Sequence, residues 1–172
     1  MNQTKKITFS ALFLALGLVL PFLTGQIPSI GSQLLPMHIP VLLCGYVCGG
    51  PMGLLIGFLT PLLRSVMFSM PPMLNATCMA FELATYGFVA GLLYDKLPKK
   101  TMNIWISLIG AMLAGRIVWG VVSFVILGMA GQTFAMSMFI AGAFMNAIPG
   151  IILQLVFIPV LVLVLKKAKF MH

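Results

Sequence analysis

The sequence has very little charge, and almost none of it is acidic. Only 2 of its 172 residues are Asp or Glu, and charged residues of both signs make up 7% of the chain. Hydrophobic residues make up 61%, and the mean hydropathy is +1.15. A water-soluble domain of this length needs far more polar surface. The composition therefore excludes a soluble globular protein and predicts an integral membrane protein, with residues 1–172 forming a single transmembrane domain.

Motifs for catalysis and energy conversion are also missing. The sequence contains no Walker A motif, no His-x-x-x-His pair, no paired acidic motif and no internal repeat. Its serines and Cys78 have no histidine or paired carboxylate at a regular spacing that would activate a nucleophile. The three cysteines are an odd number within apolar segments, which favours reduced core residues over zinc ligands. We therefore expect no enzyme, no autonomous pump, no metal site and no cofactor.

The basic residues that are present follow a clear pattern. The net charge is +8, and the lysines fall into three clusters at residues 5–6, 96–100 and 166–169. Such clusters mark the cytoplasmic flanks of membrane helices, so they exclude a nucleic-acid-binding protein. No signal-peptidase site follows Leu20, which predicts that the first helix is retained. We expect a multi-pass protein of the bacterial plasma membrane with both termini in the cytoplasm.

Apolar segments predict an all-α bundle of six transmembrane helices. Their expected bounds are about 7–23, 33–49, 51–68, 72–93, 102–127 and 134–165. Gly49-Gly50-Pro51 breaks the long apolar run in the second and third segments, and only with this break do all lysine clusters lie on one side. Residues 39–49 alone are too short to span, so the second helix is expected to start near Gln33. Small residues spaced by four provide close-contact faces: Gly53 with Gly57, Gly87 with Gly91, and Ala111 with Gly115.

Three charged residues, Arg64, Glu82 and Arg116, lie inside the predicted helices, where a central charge costs at least about 2.5 to 3.5 kcal/mol. Helical rise places Glu82, Arg116 and Asn146 at one level near the midplane, with Arg64 about one turn from the outer end of its helix. One glutamate cannot neutralise two arginines. The surplus cation predicts an anionic or strongly hydrogen-bonding ligand, unless Arg64 reaches the outer headgroups. A purely structural ion pair between Glu82 and an arginine is the alternative.

Three more polar or aromatic residues are candidates for contact with such a ligand. Asn75 follows the Met70-Pro-Pro turn, His38 approaches from the outer loop, and Trp119 lies deep enough in the fifth helix to line a pocket. Each has a simpler interpretation: His38 as a loop or helix contact, and Trp119 as a residue of the interfacial aromatic belt.

Four motifs follow one another along the chain, at residues 35–41, 45–57, 70–72 and 82–94. In their order and spacing, the sequence resembles the substrate-binding S components of energy-coupling factor (ECF) vitamin transporters. The predicted length, six-helix topology and long first outer loop also fit that family. Helix 1 carries Ala11 and Ala15 on one face, a small-xxx-small pair that is also similar to the family.

The resemblance implies that a small vitamin or vitamin precursor is captured from outside. The pocket is then lined by helices 4, 5 and 6, with Asn75, Glu82, Arg116 and Asn146 in or near it and His38 at the loop that closes it. The resemblance also implies that the Ala11 and Ala15 face docks onto a transmembrane T component driven by two ATPase subunits, within the lipid membrane.

The substrate is less well defined by these residues. The His-Ile-Pro segment resembles pantothenate-type members, and a surplus arginine suits pantothenate or another carboxylate. A pyridoxine-, pyrimidine-, riboflavin- or ribazole-like solute stays open. So does a different class, a structural membrane assembly protein or a small membrane enzyme in which Glu82 and an arginine form a structural ion pair.

Overall fold

A computed structural model describes residues 2–24, 35–98, 100–129 and 147–168, together with residues 131, 137, 140, 141, 145 and 170. In this part of the chain all regular secondary structure is helical, with no strand. The six helices are α1 Gln3–Thr24, α2 His38–Cys48, α3 Gly50–Phe68, α4 Met73–Lys96, α5 Thr101–Met129 and α6 Ile148–Lys167. All except α2 are long and apolar enough to cross a membrane. The predicted all-α membrane fold is thus confirmed.

One helix start differs from the expected bounds. Helix α2 begins at His38 and has only 11 residues. Residues 35–37, which precede it, are not helical, and the expected start near Gln33 lies outside the described residues. Helix α6 begins at Ile148 and has a proline in its first turn. Proline is tolerated there because an N–H in the first turn has no partner within the helix. Most of residues 134–147 lie outside the described part.

The break between α2 and α3 occurs at Gly49, as the sequence predicts. Its φ of +93° is a backbone conformation that glycine tolerates and L side chains rarely adopt. Pro51 then occupies the first turn of α3. The chain therefore reverses over a single residue, and α2 and α3 pack side by side.

Glycines bring the backbones of α2, α3 and α4 into direct contact. A Cβ atom added to Gly53 of α3 would lie 2.6 Å from the carbonyl oxygen of Gly87 in α4 and 2.8 Å from the Cα of Gly45 in α2. A Cβ on Gly57 would meet the backbone of Leu83 one turn further along α4. At Gly53 and Gly57 there is no room for a side chain between the helices. We call α2, α3 and α4 the glycine block.

Several contacts bring the lysine-bearing helix ends together. The Sγ of Cys48, at the end of α2, lies 3.7 Å from the backbone oxygen of Lys6 in α1. The rings of Phe9 and Phe170 meet edge to face, with centroids 5.7 Å apart. We call this the lysine end of the bundle. Its described lysines are Lys5, Lys6, Lys96, Lys100, Lys166 and Lys167.

An apolar core fills the interior between the helices. Its fully buried members come from four of them and include Leu42 of α2, Leu83 and Tyr86 of α4, Leu108 of α5, and Ile158 of α6. Helix α1 packs against α2 and α3 and leaves much of its surface outside the bundle. Ala11 and Ala15 are exposed on that surface.

Candidate functional site

A buried ion pair joins α4 and α5. The Oε1 atom of Glu82 lies 2.9 Å from an Nη1 of Arg116, and the two residues are 2% and 6% exposed. Gly115 permits this approach, because a Cβ there would lie 2.7 Å from the ring of Tyr86 in α4. The structure therefore answers which arginine pairs with Glu82. A charge pair so far from water must be closely paired to be tolerated.

His38 is the third member of this group. It begins α2, is 1% exposed, and places Nε2 3.5 Å from Oε1 of Glu82. Its ring also meets Tyr86 edge to face, with centroids 5.0 Å apart. The sequence placed His38 at the closing loop, whereas the structure places it on the first turn of a helix against the central carboxylate.

Gln154 of α6 is a further buried polar residue, at a similar height along its helix. It has 0% exposure and is the single strongly polar side chain of α6 before Lys166. Sequence reasoning missed it, although it named two other neutral amides, Asn75 and Asn146. The available signal was an isolated glutamine in a helix that is otherwise apolar as far as Lys166.

These four residues form a polar layer over the apolar core. The polar layer consists of His38, Glu82, Arg116 and Gln154. Each lies four positions from a buried core residue on the same helix, on the side away from the lysine end. Those core residues are Leu42, Tyr86, Met112 and Ile158. Residues four apart share a helix face, so each polar residue sits one turn above the core.

Helical rise gives a consistent height for the layer. Glu82, Arg116 and Gln154 lie roughly 21, 22 and 20 Å from the lysine end of their helices, at 1.5 Å per residue. The layer is therefore nearer the opposite end of the bundle. This height agrees with the midplane level that the sequence predicts for Glu82 and Arg116.

Many polar atoms around the layer have no hydrogen-bond partner among the described residues. They are Nε and Nη2 of Arg116, Oη of Tyr86, both side-chain amide atoms of Gln154, both ring nitrogens of His38, and Oε1 of Glu82, which is held by ion pairing alone. Leaving one buried polar group unpaired costs about 1 to 3 kcal/mol. The group offers mostly N–H and O–H donors, with the Gln154 oxygen and one His38 nitrogen as acceptors. Such a set can bind a small molecule rich in acceptor oxygens.

Arg64 has different partners from those of Arg116. Its Nη1 donates a hydrogen bond of 2.6 Å to the backbone oxygen of Leu18 in α1. Its guanidinium lies 4.5 Å from the ring centroid of Phe22 and 5.7 Å from that of Phe68. Arg64 is 8% exposed, so it is held by protein groups at the α1–α3 contact. Its role in solute binding stays a prediction.

The other predicted residues lie away from the layer or outside the described part. Asn75 is exposed in the first turns of α4, roughly 10 Å of helical rise beyond Glu82. Trp119 is half-buried on α5, just beyond Arg116 on the side away from the lysine end. Asn146 lies outside the described residues. All three stay predictions.

Two further features bear on the chemistry. Among the described residues, no three His, Cys, Asp or Glu side chains are grouped as metal ligands. A cleft of about 480 Å³ lies between α3 and α4 and shares no residue with the polar layer. Its lining is Leu54, Phe58, Phe81, Ala84, Thr85 and Phe88.

A comparison with protein families identifies one match. The family described as ECF transporter, substrate-specific component matches residues 5–162, a range that contains every member of the polar layer. No individual curated protein and no solved structure matches the chain.

Proposed function

The chain belongs to the family of ECF transporter substrate-specific components, and on that premise we propose that the polar layer is where it captures a small vitamin-like solute. The family makes it a multi-pass membrane transport subunit and not an enzyme. It also implies a complex with a T component and ATPase subunits. The location of the solute, its identity and the docking face are our proposals.

The proposal rests on the buried polar atoms that have no hydrogen-bond partner among the described residues and that accompany the Glu82–Arg116 ion pair. A purely structural ion pair needs only Glu82 and Arg116, and apolar residues often stabilise a core as well as a buried pair does. Here the pair is accompanied by His38, Tyr86 and Gln154, whose buried polar atoms lack partners among the described residues. Polar groups that converge in an otherwise apolar interior are typical of small-molecule sites.

The spare edge of Arg116 supports a carboxylate as the group that is bound. One Nη1 of Arg116 contacts Glu82, which leaves Nε and Nη2 as neighbouring donors. Two such donors match the two oxygens of a carboxylate. Pantothenate is our first candidate. A neutral pyridoxine-, pyrimidine-, riboflavin- or ribazole-like solute is the second, because Glu82 already neutralises Arg116.

The lysine end supports a direction for uptake. Lysine-rich ends of membrane helices favour the cytoplasm, so we place both termini there and the polar layer nearer the outer surface. Ala11 and Ala15 are exposed on α1, and small side chains allow another helix to approach closely. We place the contact with the T component on that face.

Calorimetry with the purified protein tests the solute site. Compounds retained during purification are identified by mass spectrometry, and pantothenate, nicotinate, pyridoxine and riboflavin are titrated into the unliganded protein. Arg116→Lys keeps a cation beside Glu82 but removes the two-donor edge, so it should weaken binding of a carboxylate about tenfold or more, the equivalent of one lost charged hydrogen bond. Ile152→Met, on the exposed side of α6, is the matched control.

Two results together would overturn the proposed function. The first is that no vitamin-class compound is retained or bound by the wild-type protein. The second is that cells expressing the chain show the same vitamin uptake with and without the ECF ATPase subunits. If ligand binding fails and Glu82→Gln still destabilises the protein, the ion pair is a structural feature only.

A further inference from the structure

Among the described residues, Gln154 has no partner that explains its burial. It is fully buried, and both its amide nitrogen and its amide oxygen lack hydrogen bonds among the described residues. The helix around it is otherwise apolar as far as Lys166. Leucine or methionine would fit such a helix without leaving two polar atoms unpaired. The amide therefore calls for a partner that is not among the described residues.

The register of α6 shows which way Gln154 faces. The buried residues Gly150, Gln154, Ile158 and Val162 recur every four positions and form one stripe. Ile158 and Val162 belong to the same core as Tyr86 and Leu108. Gln154 therefore faces the interior, on the same face as the core and one turn above it.

The chemistry of Gln154 differs from that of the rest of the polar layer. Arg116 has only donors, and Glu82 has only acceptor oxygens, one of which lies 2.9 Å from Arg116 and 3.5 Å from His38. Gln154 offers a donor and an acceptor side by side in one planar amide. A lactam or imide of a ring can meet both atoms at once, because its N–H and C=O lie on the same edge, whereas the trans amide of an open chain can meet one of the two at a time.

We propose that Gln154 binds the solute directly and selects one in which an amide, lactam or imide accompanies the acceptor group held by Arg116. This inference rests on the proposed function and extends it, because it assigns a second contact and a chemical class. Riboflavin can meet both atoms of Gln154 through the imide of its ring, and pantothenate can meet one of them through its trans amide. Nicotinate and pyridoxine contain neither group.

The experiment combines calorimetry with thermal stability. Gln154→Met has nearly the same shape and removes both hydrogen-bonding atoms, and Ile152→Met is the matched control on the exposed side of α6. In the wild-type protein we expect pantothenate or riboflavin to bind more tightly than nicotinate or pyridoxine. Gln154→Met should weaken that binding about tenfold, as loss of a hydrogen bond does. The Tm of unliganded Gln154→Met should equal or exceed that of the wild type, because two unpaired polar atoms are removed.

Each other result contradicts the proposal in a recognisable way. If the wild type binds a vitamin and Gln154→Met keeps its affinity, or if nicotinate or pyridoxine is preferred, the assignment of Gln154 is wrong and the proposed function stands. A fall in Tm with unchanged affinity would make Gln154 a structural residue. If the wild type neither retains nor binds any vitamin-class compound, the proposed function fails and this assignment fails with it.

Discussion

Replacing Glu82 by glutamine should destabilise the protein strongly. The substitution keeps the shape of the side chain and an oxygen that can accept a hydrogen bond from Arg116. It removes the negative charge that lies 2.9 Å from the guanidinium of Arg116. Arg116 is 6% exposed, so water cannot replace the lost partner. The unfolded state gains nothing from the change, and the loss falls on the folded state.

The size of the effect follows from the burial of the pair. Two unit charges 4 Å apart interact by about 4 kcal/mol at an effective dielectric constant near 20. Removing one partner of a buried pair typically costs about 3 to 5 kcal/mol. Because glutamine still accepts a hydrogen bond, we expect the free energy of unfolding to fall by about 3 kcal/mol, at the lower end of that range.

The assay is titration of the unliganded protein with a denaturing detergent, followed by circular dichroism. Thr77→Val is the control on the same helix, since the Thr77 hydroxyl bonds only to the backbone of α4 at Met73. Its free energy of unfolding should stay within about 0.5 kcal/mol of the wild type. Adding Arg116→Leu to Glu82→Gln should restore much of the stability, because the unpaired charge is then removed.

Two outcomes would refute this reasoning. One is Glu82→Gln with the same stability as Thr77→Val, which would mean that Arg116 does not depend on Glu82. The other is a double variant whose loss equals the sum of the two single losses, since independent sites add and coupled ones do not.

Three other substitutions test the packing and the docking face. Arg64→Ala should lower the free energy of unfolding by about 1 to 2 kcal/mol through loss of its hydrogen bond and aromatic contacts. Calorimetry on the same variant tests the predicted role of Arg64 in solute binding, and an unchanged affinity would contradict that role. Gly53→Ala should cost about 1 to 3 kcal/mol in the same titration, because its Cβ would press on Gly87, whereas Gly128→Ala, with no atom within 4 Å of its added Cβ, should be neutral or slightly stabilising. Equal effects of the two would contradict the close packing. Ala15→Trp should keep calorimetric binding and strongly reduce uptake in cells that contain the T component and ATPases; undiminished uptake would exclude this face as the docking site.

The helices were predictable because their signals are local. The break at Gly49 could be predicted from Gly49-Gly50-Pro51, since glycine alone tolerates the positive φ found there and proline suits the helix start that follows. Close packing at Gly53 and Gly87 followed from small residues spaced by four. The start of α2 was less predictable, because no composition change separates residues 35–37 from His38.

The sequence predicted the height of Glu82 and Arg116 along their helices but not the direction in which their side chains face. Helical rise placed Glu82 and Arg116 at one level, and the structure pairs them. Rise says nothing of which side of a helix faces which neighbour, so the pairing of Arg116 rather than Arg64 could not be decided. The partner of Arg64 is the backbone oxygen of Leu18, and every residue has such an oxygen, so no sequence pattern marks it. Gln154 was missed because the estimate of height singled out Asn146, eight positions earlier in the same predicted helix.

The glycine contacts and the ion pair resist helix movement in different ways. Within the glycine block, α2, α3 and α4 touch through their backbones, so sliding one past another is opposed by atoms that have no free space to yield. Glu82 and His38 are carried by this block, whereas Arg116 belongs to α5 outside it. Any separation of α5 from α4 therefore pulls opposite charges apart, against a force that acts beyond contact distance and weakens when water enters. The glycine block is thus the stiff part of the bundle, and an ion pair holds α5 against it. The polar layer spans this contact between the block and α5.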